Sequence, residues 1–189
     1  MSAAVGAPRE EAVEVLSRHQ KVFVDADRSS SLVRSRTLLR ARTAADRVLL
    51  RYIGDPGADP GDVTLGAENT VLGTVLRHRD RPVVVAELLF GTTLRGGETW
   101  ILETRLRDPG GERGTCFAHG FAAPTEHCVL EVRFDTAARP ARAHAFAQGG
   151  PAETRTPVRS LPVGSRLSAH TTTRGAGRGL VGIAWEWPV

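Results

Sequence analysis

The chain has 189 residues, 41% hydrophobic and 24% charged, with a formal net charge of +4. That is enough apolar matter for one core or two small ones and excludes a wholly disordered chain. The most apolar stretch, Pro82–Phe90, is short and broken by Glu87, so no membrane-spanning helix fits; Met1–Glu14 has no basic run followed by an apolar one, so a cytoplasmic protein without a secretory leader is expected.

Strand signals dominate from the start. Residues 1–13 read as a flexible segment. Pro8–Glu11 with Val13, Leu16 and Gln20 would allow a helix, but Val13 and Val15 alternate, which favours a strand from about Glu14 through Val24. Asp25–Ser31 is a polar turn; it lacks the glycine and terminal glutamate of a calcium loop. Leu32–Arg42 alternates polar and apolar, and so does Arg47–Ile53. The Gly/Pro/Asp block Gly54–Asp62 is a loop by turn chemistry alone. Further strands are expected at Val63–Leu65, Thr70–Arg77, Pro82–Phe90, Glu98–Arg107, Thr115–Phe121, His127–Phe134, Ala141–Phe146, Arg166–Thr173 and Gly179–Trp187. Trp100, Leu102, Thr104 and Leu106 share one face of their strand, with Glu103, Arg105 and Arg107 on the other. Short strands with turn signals about every ten residues predict an all-β fold. The expectation is an antiparallel β-sandwich, or a partly open barrel, of roughly 9–12 strands with little or no helix, forming a single domain over residues 14–189 with loop 54–62.

The basic residues are 24 Arg and one Lys, Lys21. Their dispersal fits a GC-rich coding sequence better than a polyanion-binding surface, which requires clustering. The densest patches are Arg34–Arg42 and Arg77–Arg81. Arg34, Arg36, Arg40 and Arg42 have even spacings, placing all four on one strand face opposite Val33, Leu39 and Ala41. The plain reading is a solvated outer face. The functional reading is an anion-binding stripe.

Two cysteines, Cys116 and Cys128, lie near His119 and His127. A hairpin disulfide would fit the spacing, but reduced thiols are expected without a leader. Cys116-x2-His119 could be half of a zinc site; His127 and Cys128, being adjacent, would point to opposite faces of a strand. No metal and no cofactor is therefore expected. A Cys–His nucleophilic pair would lack an oxyanion hole and an orienting third group. Arg174–Gly179 resembles a phosphate nest but has no helix after it and reads as a turn. Trp185 and Trp187, with Ile183 and Val181, are read first as closing a core and second as a stacking shelf.

Leu38–Ala41, Arg47–Tyr52, Leu94–Thr99, Glu131–Phe134 followed by Ala138–Arg142, and the ending Gly182–Trp187 together, in this order, resemble the β-rich C-terminal region of actinobacterial helix-turn-helix regulators of the XRE type. The resemblance covers roughly residues 14–188. In those regulators the region follows a DNA-binding domain, which needs roughly fifty residues of helical pattern. A chain starting at Met1 would lack it, so the resemblance implies an effector or interaction module and carries over neither DNA binding nor any catalytic residue.

The function expected is a non-enzymatic regulatory or binding module for a small ligand or a protein partner. Exposed strand edges would also support a homodimer. The alternative is a small β-fold enzyme of secondary metabolism, a cyclase or isomerase, with an apolar pocket lined by Trp100, Tyr52, His119, His127 and Trp185. Direct nucleic-acid binding through Arg34–Arg42 ranks last.

Overall fold

The computed structural model describes residues 12–55, 58–109, 113–121, 125–149, 153–177 and 179–188. Most of the segment expected to be flexible, 1–13, lies outside the described residues, as does the part of loop 54–62 at 56–57. Every regular element described is a strand, and no helix is long and apolar enough to cross a membrane.

Thirteen strands occur among the described residues: β1 Val13–Val24, β2 Leu32–Ala41, β3 Ala45–Ile53, β4 Thr64–Glu68, β5 Val71–Arg77, β6 Val83–Leu94, β7 Thr99–Arg107, β8 Cys116–Phe121, β9 Thr125–Phe134, β10 Arg142–Gln148, β11 Thr156–Leu161, β12 Ser168–Ala176 and β13 Gly179–Glu186. They form a six-stranded sheet, order β12-β9-β1-β2-β7-β4, a four-stranded sheet, β11-β10-β13-β8, and a three-stranded sheet, β3-β6-β5. None closes into a barrel, and the sandwich expectation holds. Pairing is antiparallel throughout except for β1 against β9, which run parallel from Ser17↔His127 to Val24↔Phe134.

The six-stranded sheet is the shared wall. Paired residues share a face, so Thr37, Leu39 and Ala41 of β2 face the same way as Leu102, Trp100 and, through β1, Val13. Val22 and Val24 also lie on this face, although their parity is opposite to that of Val13 and Val15. A bulge between Val15 and Ser17 shifts the register by one residue, so both ends of β1 bury valines on the same side. That inner face is covered twice. The four-stranded sheet packs Phe121, Ala143, Ala145, Ile183 and Trp185 over Val22, Val24, Leu130, Val132 and Phe134. The three-stranded sheet packs Leu88, Phe90 and Leu94 over Leu39 and Leu102, and Val84 over Leu106.

The expected strands are present, and β1 begins at Val13, one residue before the expected start. One strand was not expected: β11, Thr-Pro-Val-Arg-Ser-Leu, of which only Leu161 is buried. It is an edge strand, where Pro157 sits opposite Phe146 beside a register shift and its missing N–H costs no ladder bond. The carboxyl-terminal aromatics close a core as their size suggested, with Trp185 2% exposed and Trp187 packed against the same cluster.

Gly182 shows how tightly β13 is held. It pairs with Phe146 on β10, and the Phe146 ring lies over it. A methyl group added there would overlap that ring and stand 2.7 Å from the Phe117 carbonyl oxygen. Backbone cannot step aside as a flexible side chain can. Gly182→Ala should therefore destabilise the fold by about 1–3 kcal/mol, measured as a lowered midpoint of urea unfolding with an unchanged slope.

Candidate functional site

The outer face of the six-stranded sheet is left to solvent, and its register assembles a charged lattice. One row across the sheet runs Thr172, Val129, His19, Arg36, Glu103, Glu68. The next runs His170, Glu131, Lys21, Arg34, Arg105, Gly66, and the next Ser168, Arg133, Phe23, Leu32, Arg107, Thr64. Ion pairs knit neighbouring strands: Lys21–Glu131 at 2.7 Å, Arg105–Glu68 at 2.9 Å and Arg36–Glu103 at 3.4 Å. The two exposed pairs, Arg105–Glu68 and Arg36–Glu103, add little to stability; what matters is which cations the lattice leaves over.

The sequence-predicted stripe Arg34, Arg36, Arg40 and Arg42 is mostly consumed in this way. Arg40 and Arg42 both grip Glu14, whose carboxyl their hydrogen bonds hold below the usual carboxylate range. Arg36 pairs with Glu103. Arg42 lies just beyond the end of β2. Arg34 alone of the four has no carboxylate partner among the described residues; it stacks 5.1 Å from the Phe23 ring centroid. Arg107, Arg133 and Arg174 on the same face are likewise without a carboxylate among the described residues. Arg34, Arg105 and Arg107 border a depression of about 260 Å³. Sequence reasoning missed Arg105 and Arg107 as site candidates. Their signal was the charged odd-numbered face of β7.

The inner face carries a second polar feature where the two apolar cores part. The Arg18 side chain donates from Nε to Thr37 Oγ1 at 3.3 Å, and its Nη1 lies 3.0 Å from His119 Nε2 on β8. No carboxylate meets this guanidinium among the described residues. Burial, with the Arg18 charge second, pushes the His119 pKa down to about 3, so the imidazole is neutral and accepts from Arg18. Cys128 lies on the same face and its thiol is pushed up to about 11 by burial. It is therefore protonated at neutral pH, unlike a nucleophile or a thiolate ligand.

The five pocket candidates are not brought together. Tyr52 donates its hydroxyl to Asp108 Oδ2 at 2.8 Å, and burial followed by this bond pushes its pKa well up. Trp100 packs on Phe90 with ring centroids 5.7 Å apart, donates to the Asn69 carbonyl, and borders a second, wider depression of about 650 Å³ at the β6–β7 hairpin. His119 faces Arg18 inside the sandwich. His127, on β9, shares the outer face with Ser17 and Arg174. Trp185 is in the core. Neither depression has His or Cys on its wall. Both thiols are free, and among the described residues no three His, Cys, Asp or Glu side chains converge as a metal set. Cys128 and its neighbour His127 do fall on opposite faces of β9.

No family model matches the chain, and no curated protein does. Solved structures with a similar fold exist. The M1 zinc metallopeptidase of Deinococcus radiodurans matches over 92% of this chain and 42% of its own, with 14% identity and a TM-score of 0.54. A mutant of that enzyme bound to a Tyr-Ser-Ala substrate matches over 93% of this chain and 43% of its own, with 14% identity and a TM-score of 0.56. A candidate protease of Parabacteroides distasonis matches over 92% and 40%, with 13% identity and a TM-score of 0.54. At such identities the likeness is one of fold alone, and the chain spans about two fifths of the length of the chains it matches.

Proposed function

We propose that this chain is a non-enzymatic binding module that recognises an anionic partner with the open face of its six-stranded sheet. One observation carries the reading. The sheet commits one face to two apolar cores, while the other is a wide lattice of cations in which Arg34, Arg107, Arg133 and Arg174 keep no carboxylate partner among the described residues. A surface of that kind steers and orients an oppositely charged partner. The effector module of a regulator, or a β module working beside a second domain in the way the same fold accompanies further chain in the peptidases, are two settings in which it would serve. The enzyme alternative gains no observation: the depressions are shallow and carry neither imidazole nor thiol.

The test is binding of a fluorescent poly-glutamate peptide at rising salt. The affinity should be salt-dependent and should fall at least tenfold in the double variant Arg133→Glu/Arg107→Glu, while amino-acid p-nitroanilides supplied with zinc release no product. Salt-independent affinity, or an unchanged affinity in the double variant, overturns the reading.

A further inference from the structure

We propose that the depression between β2, β7 and β4 is a site for a phosphate monoester dianion; this rests on the reading of the open face as an anion-recognising surface and names the ligand of one place on it. The site comes from register, not from any one strand. Arg34 stands directly opposite Arg105, which stands opposite Gly66; one row along, Leu32, Arg107 and Thr64 are aligned in the same way. Three guanidiniums from two adjacent strands thus border a single concavity of about 260 Å³, with Leu32 as an apolar neighbour and Thr64 on its rim.

Gly66 keeps the concavity open. It is the one position in its row without a side chain, and a Cβ built there would meet nothing nearer than 4.0 Å. A larger residue would fit the backbone and fill the hollow.

The charge selects the ligand class. Among the described residues, only Arg105 of the three arginines has a counter-ion, Glu68 at 2.9 Å, and both partners of that pair are more than half exposed. Two positive charges therefore remain uncompensated, which a dianion neutralises and a monocarboxylate does not. Planar guanidinium forks match phosphate oxygens in bidentate fashion and stay charged at every working pH. A hollow of this size lies below the roughly 300–1,000 Å³ of pockets that enclose whole ligands, so it takes a charged group while the rest of the molecule stays in solvent.

The experiment is a calorimetric titration of the full chain at low ionic strength with phenyl phosphate, inorganic phosphate, acetate and a short DNA duplex. Phenyl phosphate should bind with one-to-one stoichiometry, at least tenfold more tightly than acetate. Its affinity should rise between pH 5 and pH 7.5, as the second phosphate proton, with pKa about 6, is lost. Arg107→Gln and Gly66→Val should each weaken it about tenfold or more, the second without removing any charge. Arg79→Gln, on the β5–β6 turn of another sheet, should leave it unchanged. Equal weakening by Arg79→Gln, no effect of Gly66→Val with the fold intact by circular dichroism, or a preference for acetate overturns the proposal. DNA bound more tightly than phenyl phosphate and insensitive to Gly66→Val also overturns it, in favour of a diffuse polyanion surface. Poly-glutamate binding that persists when phenyl phosphate fails removes this site and leaves the binding-module reading standing; loss of both removes both.

Discussion

Between pH 6.5 and pH 5 the chain should lose about 1–2 kcal/mol of folding stability to one residue, His119. The folded-state pKa is depressed to about 3, with burial as the larger cause and the Arg18 charge as the smaller. An unfolded histidine titrates near its ordinary value, about 6.5. Above that value neither state holds the proton, and the site costs nothing. Below it the unfolded chain takes up a proton that the folded chain refuses, so stability falls by up to about 1.4 kcal/mol for each pH unit until the folded value is reached. The carboxylates Glu14, Glu87 and Asp27 are lowered by their hydrogen bonds to Arg40 and Arg42, to Arg47 and Thr74, and to Ser29 respectively. Their contribution is present above the ordinary carboxylate range and is lost only as pH falls through it, so they add little between pH 6.5 and 5, and the difference between wild type and His119→Gln isolates this imidazole from the other five. Urea unfolding across that interval should show the slope in the wild type and its loss in His119→Gln, whose amide oxygen still accepts from Arg18. Arg18→Met should keep most of the slope, because burial, not the guanidinium, is the main cause. A slope in His119→Gln equal to that of the wild type would falsify the assignment.

The same residue marks a boundary of what a sequence carries. His119 belongs to a short strand whose apolar neighbours, Phe117 and Phe121, announce which face turns inward; a histidine between them at period two reads as half-buried. Its partner is a hundred residues away on β1. Arg18 lies on the inner face only because a bulge changes the parity of that strand after Val15, and a bulge of one residue leaves no trace in composition. Alternation was legible wherever one face met a core and the other met water, as in β2 and β7. It was not legible in β11, whose side chains are exposed on both faces up to Leu161. The arginine stripe shows the same division at the level of function. Its one-sidedness followed from even spacing along β2, but its neutralisation comes from Glu14 on β1 and Glu103 on β7. Only the pairing of β2 with β7, and of β7 with β4, shows that the guanidiniums gather across strands, at Arg34, Arg105 and Arg107, and not along one, with Glu68 of β4 answering Arg105 alone.

Trp185→Ala should cost about 3–5 kcal/mol, the range for removing a large buried aromatic, a large share of the total stability of a domain this size. The indole is 2% exposed and stands at the centre of an aromatic group, edge-on to Phe134 at 5.4 Å and to Trp187 at 6.4 Å between ring centroids. It joins the four-stranded sheet to β9 of the shared wall, so its loss opens a cavity between two sheets that rigid strands close poorly. A second variant separates volume from chemistry. The Trp185 indole N–H is buried without a hydrogen-bond partner among the described residues, whereas the Trp187 N–H donates to the Gly114 carbonyl at 2.9 Å. An orphaned buried donor costs about 1–3 kcal/mol of desolvation. Trp185→Phe removes that donor together with part of the ring, so the two effects oppose, and its loss should be less than half that of the alanine variant. Trp187→Phe removes a satisfied donor and leaves the Gly114 carbonyl without its partner, so there the losses add. Chemical denaturation of the three variants should therefore rank Trp185→Ala as the least stable, and should place Trp187→Phe below Trp185→Phe although Trp185 is the more deeply buried residue. The reverse order of the two phenylalanine variants would show that packing volume alone governs this cluster.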